Sequence, residues 1–293
     1  MHTTDLGGHS GCQILLCETE ENLVFVRKIS SNIEYNQRLI KQAEKQSLFN
    51  TPSIKTPKVL DRGYTKDGLF YFDMEYVQGI TLAEYLKRIE VGKVRGLVEQ
   101  IVNGINSLIG TEKGEFSERV FQNKIDSLEK KLSTDDNKIV SKAVYMLRKH
   151  SWNQFNKTMC HGDLTLENII VKDGQLYFID FLDSFYDCWI MDISTLLQDV
   201  QTLWAYRRRT LNGRLHMPND ENMDINTSLR VLIFRDILVD EVQDKFGINI
   251  VEVYYALLLK LIRIYPYTKD EKTYMFLNQK TQSVMNIIME ESK

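Results

Sequence analysis

The chain has 293 residues, of which 43% are apolar and 26% are charged, and its formal net charge is −3. That length and composition suffice for one large or two modest globular domains. A net charge this close to zero gives no general attraction for nucleic acid or an anionic membrane, so neither partner is expected.

The cysteines and the apolar segments indicate a reducing compartment and no membrane span. The longest apolar stretch, residues 251–265, is interrupted by Lys260 and Arg263 and is too short to cross a bilayer. The N-terminus lacks the basic start and apolar core of a secretory signal. The cysteines show neither zinc-site spacing nor a disulfide framework, which favours a cytoplasmic protein; they are Cys12, Cys17, Cys160 and Cys188.

The first part of the chain is rich in predicted strands. Alternating or β-branched runs predict strands over residues 11–17, 22–30, 57–64 and 69–77. Between the second and third of these, residues 33–49 show helical spacing of apolar side chains. We therefore expect a small α+β lobe at residues 1–77.

After Gly79 the apolar periodicity becomes helical and continues to about residue 150. Two short strands, NIIVK and LYFID, then flank the turn at Asp173 and Gly174, which predicts a hairpin. From Ile190 onward the pattern is again mostly helical, apart from a polar loop near residues 212–227. The expected fold class is α+β, with two lobes, the larger and mostly helical one at residues 78–293.

The hairpin brings polar side chains together. Asn168 precedes its first strand and Asp180 ends its second, so the two residues become neighbours although they are distant in sequence. A carboxylate and an amide oxygen that converge on one point suit Mg²⁺, which binds few protein oxygens and keeps water or phosphate in its other positions. His161, Gly162 and Asp163 lie on the loop just before Asn168.

The stretch HGDLTLENIIV, followed by FIDF, resembles the aminoglycoside phosphotransferase and choline kinase group, small-molecule relatives of the protein kinases. The resemblance implies a two-lobed protein-kinase-like fold and transfer of the γ-phosphoryl group of ATP to a hydroxyl of a small molecule. It makes Asp163 the catalytic base and makes Asn168 and Asp180 the Mg²⁺ ligands. It also places His161 in the catalytic loop, where we expect it to brace the loop rather than react, and it gives Asp192 a bracing role.

The same resemblance requires a glycine turn and a lysine for the nucleotide phosphates. Gly8 and Gly11, in GGHSG, are the candidates for the turn, because glycine lets backbone N–H groups approach phosphate. In VFVRK either Arg27 or Lys28 could point into the cleft, since neighbouring strand residues face opposite sides. We favour Lys28, whose compact ammonium suits phosphate contact, and keep Arg27 as the alternative.

A helix acid and a hinge complete the expected nucleotide site. Glu44, on the predicted helix, is the candidate to orient Lys28, with Glu34 possible. The hinge between the lobes is expected after the strand ending near Glu75, where backbone groups as far as Val77 would pair with adenine. Because backbone groups do the recognition, the sequence leaves ATP and GTP open.

Other functional classes fit less well. The GHSG stretch precedes a strand instead of forming a strand-to-helix elbow, which disfavours a hydrolase. No phosphate-binding loop of the GxxxxGK[ST] type occurs. The short segment after Asp180 leaves little room for the activation loop of a protein kinase. A catalytically silent kinase fold remains the alternative.

The acceptor is less defined than the chemistry. Because no dense acidic cluster occurs near the C-terminus, an amino alcohol or sugar-like acceptor is favoured over an aminoglycoside. The run Arg207–Arg209 suggests an anionic saccharide as a weaker hypothesis. The sequence does not specify the oligomeric state.

Overall fold

The computed structural model describes most of the chain. The described residues are 2–7, 11–109, 117–132, 137–152, 155–206 and 224–292, together with the backbone of 208–209 and 215–216. Of the run Arg207–Arg209, Arg207 lies outside the described residues and the other two are described as backbone only.

The strands form three sheets. In chain order they are β1 His2–Asp5, β2 Gln13–Glu18, β3 Val24–Ile29, β4 Ile54–Lys55, β5 Val59–Tyr64, β6 Phe70–Glu75, β7 Ile80–Thr81, β8 Ile169–Lys172, β9 Gln175–Phe178, β10 Arg208–Arg209 and β11 Leu215–His216. The sheet orders are β1-β2-β3-β6-β5, β4-β9-β8-β7 and β10-β11.

The helices account for most of the C-terminal part of the chain. They are α1 Asn36–Leu48, α2 Leu82–Leu86, α3 Val94–Asn106, α4 Ser117–Leu132, α5 Lys138–Lys149, α6 Trp189–Thr202, α7 Ile225–Phe246, α8 Val251–Ile262 and α9 Glu271–Glu291. A β-rich N-terminal sheet followed by a helical part confirms the expected α+β class.

The five-stranded sheet is antiparallel throughout and packs against α1. Val26 and Lys28 are buried on one face of β3, and Leu39 and Ala43 of α1 are fully buried against the same small core. Alternation along β3 therefore places Lys28 on the face covered by the helix. The strand β1 was not predicted, because its four residues are polar and all are exposed.

The four-stranded sheet contains the predicted hairpin, β8 paired with β9. Its turn residues Asp173 and Gly174 have φ of 49° and 77°, the positive values that a two-residue type I′ turn requires. The two-residue strands β4 and β7 complete the sheet and are too short to carry a sequence pattern. Since β4 pairs in parallel with β9, residues 54–55 join this second sheet although they precede position 78.

The helical part is organised around α8. Residues 256–262 of this helix are all buried, so it is covered on every side, mainly by α6 and α9. This burial explains why residues 251–265 are mostly apolar. Among the described residues, no helix combines the length and the hydropathy needed to cross a membrane.

An aromatic stack forms part of the helical core. The rings of Phe121 on α4 and Trp152 lie 4.3 Å apart and are nearly parallel, and both side chains are fully buried. Such ring pairs stabilise the folded state beyond the contribution of their buried apolar surface.

Replacing Phe121 with alanine should lower the free energy of unfolding by about 3–5 kcal/mol, because it leaves a cavity against Trp152. Chemical denaturation followed by circular dichroism measures the change. Tyr145→Ala on α5 is the matched control, because this aromatic side chain is 62% exposed. Equal destabilisation by the two substitutions would contradict the described core.

Candidate active site

His161 fixes the loop that precedes β8. Its side chain is fully buried, its Nε2–H donates to the Ile179 carbonyl at 2.6 Å, and its Nδ1 accepts from the Asp163 N–H at 3.2 Å. Burial lowers the pKa of His161 to about 4. The imidazole is therefore neutral near pH 7 and joins the loop to the end of β9, in keeping with the bracing role expected for it.

Asp192, in the first turn of α6, forms hydrogen bonds with the same loop. Its carboxylate accepts from the backbone N–H groups of His161 and Gly162 at 2.6 and 2.8 Å. Burial raises the pKa of Asp192 to about 6, although these two hydrogen bonds favour its ionised form. The predicted contact between Asp192 and the loop is confirmed.

Gly162 is required by the close approach of two loop segments. Its φ is +94°, and a Cβ at this position would overlap the carbonyl oxygen of Leu182. The N–H of Leu182 in turn donates to the His161 carbonyl at 3.0 Å. The segment that follows Asp180 thus packs directly on the loop that carries Asp163.

Asp163 and Asn168 are held together by the loop. Asn168 Nδ2 donates to the Asp163 carbonyl oxygen at 2.8 Å, and the backbone carbonyl of Asn168 accepts from the Ile179 N–H at 3.0 Å. Thr165 caps the short turn between them by accepting from the Asn168 N–H. The hairpin therefore places Asn168 beside the end of β9, as its spacing predicts, and next to Asp180.

Lys28 and Asp180 connect the two sheets. Lys28 is only 2% exposed, and its Nζ forms an ion pair with Asp180 Oδ1. Asp180 has a φ of +61°, a left-handed conformation that is uncommon outside glycine. Backbone strain of this kind at a polar residue is frequent at functional sites.

Arg27 points to the opposite face of the first sheet. Its guanidinium donates to both carboxylate oxygens of Asp73 at 2.7 and 2.8 Å and lies 4.2 Å from the centre of the Tyr71 ring. The alternative left open by the sequence is thus decided geometrically, since Lys28 faces the cleft and Arg27 does not.

The prediction that Glu44 orients Lys28 is wrong. Glu44 is exposed, whereas Gln42 is buried and accepts from Lys28 Nζ at 3.2 Å. Apart from Lys45, the buried positions of α1 follow i, i+3, i+4 spacing around Leu39, a stripe that includes residue 42 and excludes 44. Strict application of that period would have found Gln42.

Lys45 is a second α1 residue that the sequence did not reveal. Its Nζ contacts Asp187 Oδ1 at 2.6 Å and the Leu182 carbonyl at 2.9 Å. Burial opposes the charge of Lys45, but Cys160 and Asp187 more than offset it, so its pKa is raised. This contact fastens α1 to the segment that follows Asp180.

Lys260, a buried residue of α8, acts electrostatically on the loop that carries Asp163. It is 5% exposed, and burial together with Arg263 lowers its pKa to about 8, while Asp163 and Asp192 act in the opposite direction. In the sequence this residue only interrupted an apolar stretch. The structure places its charge within the field of Asp163.

One cleft of about 1690 Å³ brings the polar candidates together: Lys28, Asp163, Asn168 and Asp180 all line it. Its apolar wall includes Ile14, Val26, Met74, Ile170 and Ile179.

Only some of the hinge and glycine candidates line the cleft. Glu75 and Val77 line the cleft, and the Glu75 side chain accepts from the Lys58 N–H at 3.0 Å. Gly8 lies outside the described residues. Of the described glycines in the turn between β1 and β2, Gly7 lines the cleft and Gly11, with a φ of +75°, does not.

Residues 16–223 match the family model described as the phosphotransferase enzyme family. The chain belongs to this family. As a member it is a small-molecule phosphotransferase, which confirms the resemblance seen in the central motif. Among curated proteins, no sequence matches the chain significantly.

Solved structures share the fold at low sequence identity. Amicoumacin kinase hAmiN, in complex with AMP-PNP, Ca²⁺ and Ami, is 15% identical with a TM-score of 0.57, over 97% of this chain and 88% of that one. Aminoglycoside phosphotransferase APH(4)-Ia is 11% identical with a TM-score of 0.61, over 98% and 93% of the two chains. The GDP and kanamycin complex of another aminoglycoside phosphotransferase is 15% identical with a TM-score of 0.58, over 99% and 93%.

The His161 imidazole should stay neutral, with Nε2 protonated, well below pH 6.5, because burial lowers its pKa to about 4. Histidine NMR with ¹⁵N labelling measures its titration directly, and a midpoint near 6.5 would contradict the buried contact. Since the folded state binds this proton less tightly, His161 makes folding less stable as the pH falls from 6.5 towards 4. Asp192, with its raised pKa of about 6, acts in the opposite direction.

The substitution Gln42→Ala should raise the KM for nucleotide about 10-fold, the size expected when a buried hydrogen bond to a charged group is lost. Glu44→Ala on the exposed face of α1 is the matched control and should leave KM unchanged. Steady-state kinetics with varied nucleotide compares the two. The reverse order of effects would restore the original assignment of Glu44.

Proposed function

We propose that the chain transfers the γ-phosphoryl group of ATP to a hydroxyl group of a small amino alcohol or sugar-like molecule. The observation that carries the proposal is the convergence of Lys28, Asp163, Asn168 and Asp180 on one cleft, with Lys28 paired to Asp180. Membership of the phosphotransferase family supports the reaction class. Structural relatives crystallised with AMP-PNP or GDP support a nucleotide donor.

The apolar part of the cleft is suited to the nucleotide base. Ile14 and Val26 of the first sheet, Ile170 of the second and Ile179, which follows β9, all line the cleft. A planar base between these side chains would be desolvated on both faces. Backbone groups of residues 75–77 at the hinge would then pair with its edge.

Lys28 would neutralise charge on the nucleotide phosphates. Its aliphatic stem is buried, and Gln42 and Asp180 hold its ammonium in place, so little side-chain entropy is lost on binding. A fixed positive charge in a partly water-excluded cleft acts more strongly than one in solvent.

Asn168 and Asp180 fit the requirements of a Mg²⁺ site. They contribute one amide and one carboxylate oxygen to the cleft, the hard donors that Mg²⁺ prefers. Since Asn168 Nδ2 is engaged by the Asp163 carbonyl, the amide oxygen is the atom that would contact a cation. When bound, Mg²⁺ supplies charge neutralisation at the phosphates.

Asp163 would accept the proton of the acceptor hydroxyl. Its backbone N–H is held by His161 and its carbonyl by Asn168, so the loop presents the carboxylate to the cleft in a fixed position. Most of the rate enhancement would come from this positioning and from electrostatic stabilisation of the phosphoryl oxygens.

Replacing Asp163 or Asp180 with asparagine should each reduce kcat at least ~100-fold, as expected when a proton acceptor or an electrostatic group is removed. Asp173→Asn, in the exposed turn of the same hairpin, is the control and should keep full activity. ADP release with a panel of hydroxyl compounds measures the reaction. Near-normal turnover in either active-site variant would remove the assignment.

The same assay tests the catalytically silent alternative. A silent kinase fold would bind ATP with Mg²⁺, measured by calorimetry, and would release no ADP with any acceptor. Binding followed by ADP release that depends on one acceptor supports the proposal instead.

A further inference from the structure

Gln198 of α6 is a buried polar residue that opens into the cleft. It is only 8% exposed, and it lines the same cavity as Asp163. Within the part of the chain that the structure describes, its side-chain amide has no hydrogen-bond partner. Other polar side chains of the cleft are engaged, since Lys28 donates to Gln42 and Asn168 donates to the Asp163 carbonyl. An amide at this depth is costly to leave unpaired, so it is suited to meet a ligand.

Gln198 lies beside the loop that carries the proposed base. Its neighbour Asp199 is fully buried and accepts from the Leu166 N–H at 2.7 Å. About two turns earlier on the same helix, Asp192 accepts from backbone N–H groups at the start of that loop. The loop therefore follows α6 and reaches the level of Gln198 at Leu166, three residues after Asp163.

An aromatic side chain six positions after Gln198 also lines the cleft. Leu203, which caps the end of α6, has a φ of +61°, a left-handed conformation that is uncommon outside glycine and frequent at functional sites. Trp204 follows this turn and lines the cleft. Its ring lies 6.4 Å from that of Phe276, a buried residue of α9. The indole is thus supported by the helical core and offers an apolar surface to a ligand.

Charged residues of both signs line the part of the cleft that the C-terminal helices contribute. Residues 269–272 supply two lysines and two acids. The Asp270 carboxylate also caps α9 by accepting from the Thr273 N–H at 2.8 Å. Glu167 lines the cleft as well, but it is exposed, and solvent weakens its attraction for a cation. This lining gives a neutral ligand no disadvantage against a charged one.

The chemistry of an amide and an indole favours a sugar. A glutamine amide contains both donors and an acceptor, so it can accept from one hydroxyl and donate to the adjacent one. An ammonium group would use only the amide oxygen and would leave the NH₂ group unpaired. The apolar C–H face of a sugar ring can pack on an indole, whose flat surface is rigid and largely apolar.

We propose that Gln198 and Trp204 form an acceptor subsite for a neutral sugar or cyclic polyol. The amide binds two adjacent hydroxyls, and the indole packs against the ring. The inference rests on the proposed function and narrows its acceptor from an amino alcohol or sugar-like molecule to this class. The attachment of α6 to the loop keeps the bound ring beside Asp163.

A panel of compounds tests the acceptor class. The wild-type protein, loaded with AMP-PNP and Mg²⁺, is titrated in a calorimeter with glucose, galactose, mannose, ribose and myo-inositol, and with glucosamine, galactosamine, choline, ethanolamine and kanamycin as cations. The tightest ligand should be neutral and should bind at least about 10-fold more tightly than any cation, because the amine leaves part of the amide unpaired. Equal or tighter binding of a cation, or no binding of any neutral compound at millimolar concentration, overturns the proposal.

Two glutamines of the same helix locate the contact. Gln198→Leu removes the amide from the cleft, and Gln201→Leu is the matched control, because Gln201 belongs to α6 and does not line the cleft. The neutral compound that binds most tightly, called the test sugar, should bind about 10-fold more weakly to Gln198→Leu and normally to Gln201→Leu. Equal effects of the two substitutions overturn the proposal.

Deoxy forms of the test sugar separate a direct contact from a structural effect. Loss of the hydroxyl that contacts Gln198 should weaken binding to the wild type and cause no further loss in Gln198→Leu, as in a double-mutant cycle. Additive losses for every deoxy form contradict the contact. The affinity for AMP-PNP should be unchanged in Gln198→Leu, and a loss confined to AMP-PNP would assign the amide to the nucleotide and overturn the proposal.

Two variants of Trp204 test the packing of the ring. Trp204→Ala should weaken binding of the test sugar, and Trp204→Phe should restore most of it, because phenylalanine keeps a flat apolar surface. Equal binding by these two variants overturns the packing contact.

ADP release separates this inference from the proposed function. Sugar binding that depends on Gln198, without ADP release from any compound, would support the subsite and reject phosphoryl transfer. ADP release with choline or ethanolamine but with no neutral compound would support phosphoryl transfer and overturn the subsite.

Discussion

The ion pair between Lys28 and Asp180 joins residues that are 152 positions apart in the sequence. Lys28 lies in β3 of the first sheet, and Asp180 follows β9 of the second sheet. Each partner is costly to bury alone, because a desolvated charge without a counter-charge is strongly unfavourable. Pairing therefore requires β3 and the end of β9 to meet at the cleft. Two features hold the pair in place. They are the left-handed backbone of Asp180 and the hydrogen bond from Lys28 to the buried Gln42.

Buried polar contacts hold the site in place from both sides. From the helical part, Asp192 accepts two backbone N–H groups of the loop, and His161 connects that loop to Ile179. From the N-terminal part, Lys45 contacts Asp187 and the Leu182 carbonyl. Backbone groups are the partners in most of these contacts, which fixes the position of the loop independently of the side chains that line the cleft.

Charged side chains line the cleft at two places. Near Lys28 the positive charge is balanced by Asp180, and in the part of the cleft near Tyr267 Lys269 and Lys272 accompany Asp270 and Glu271. The Lys131 ammonium contacts the Tyr267 hydroxyl, and this contact lowers the pKa of Tyr267, with smaller contributions from Lys124 and Arg263. The paired charges around Lys28 suit the proposed nucleotide.

The sequence by itself determined the fold class, the hairpin and the order of His161, Asp163, Asn168 and Asp180, because local spacing and a two-residue turn control these features. It favoured Lys28 without excluding Arg27, and it selected Glu44 where Gln42 makes the contact. Those choices, with Lys45 and the short strands β4 and β7, depend on which helix face and which distant segments meet. Only tertiary packing decides that, since the groups that come together lie far apart along the chain and carry no joint local pattern.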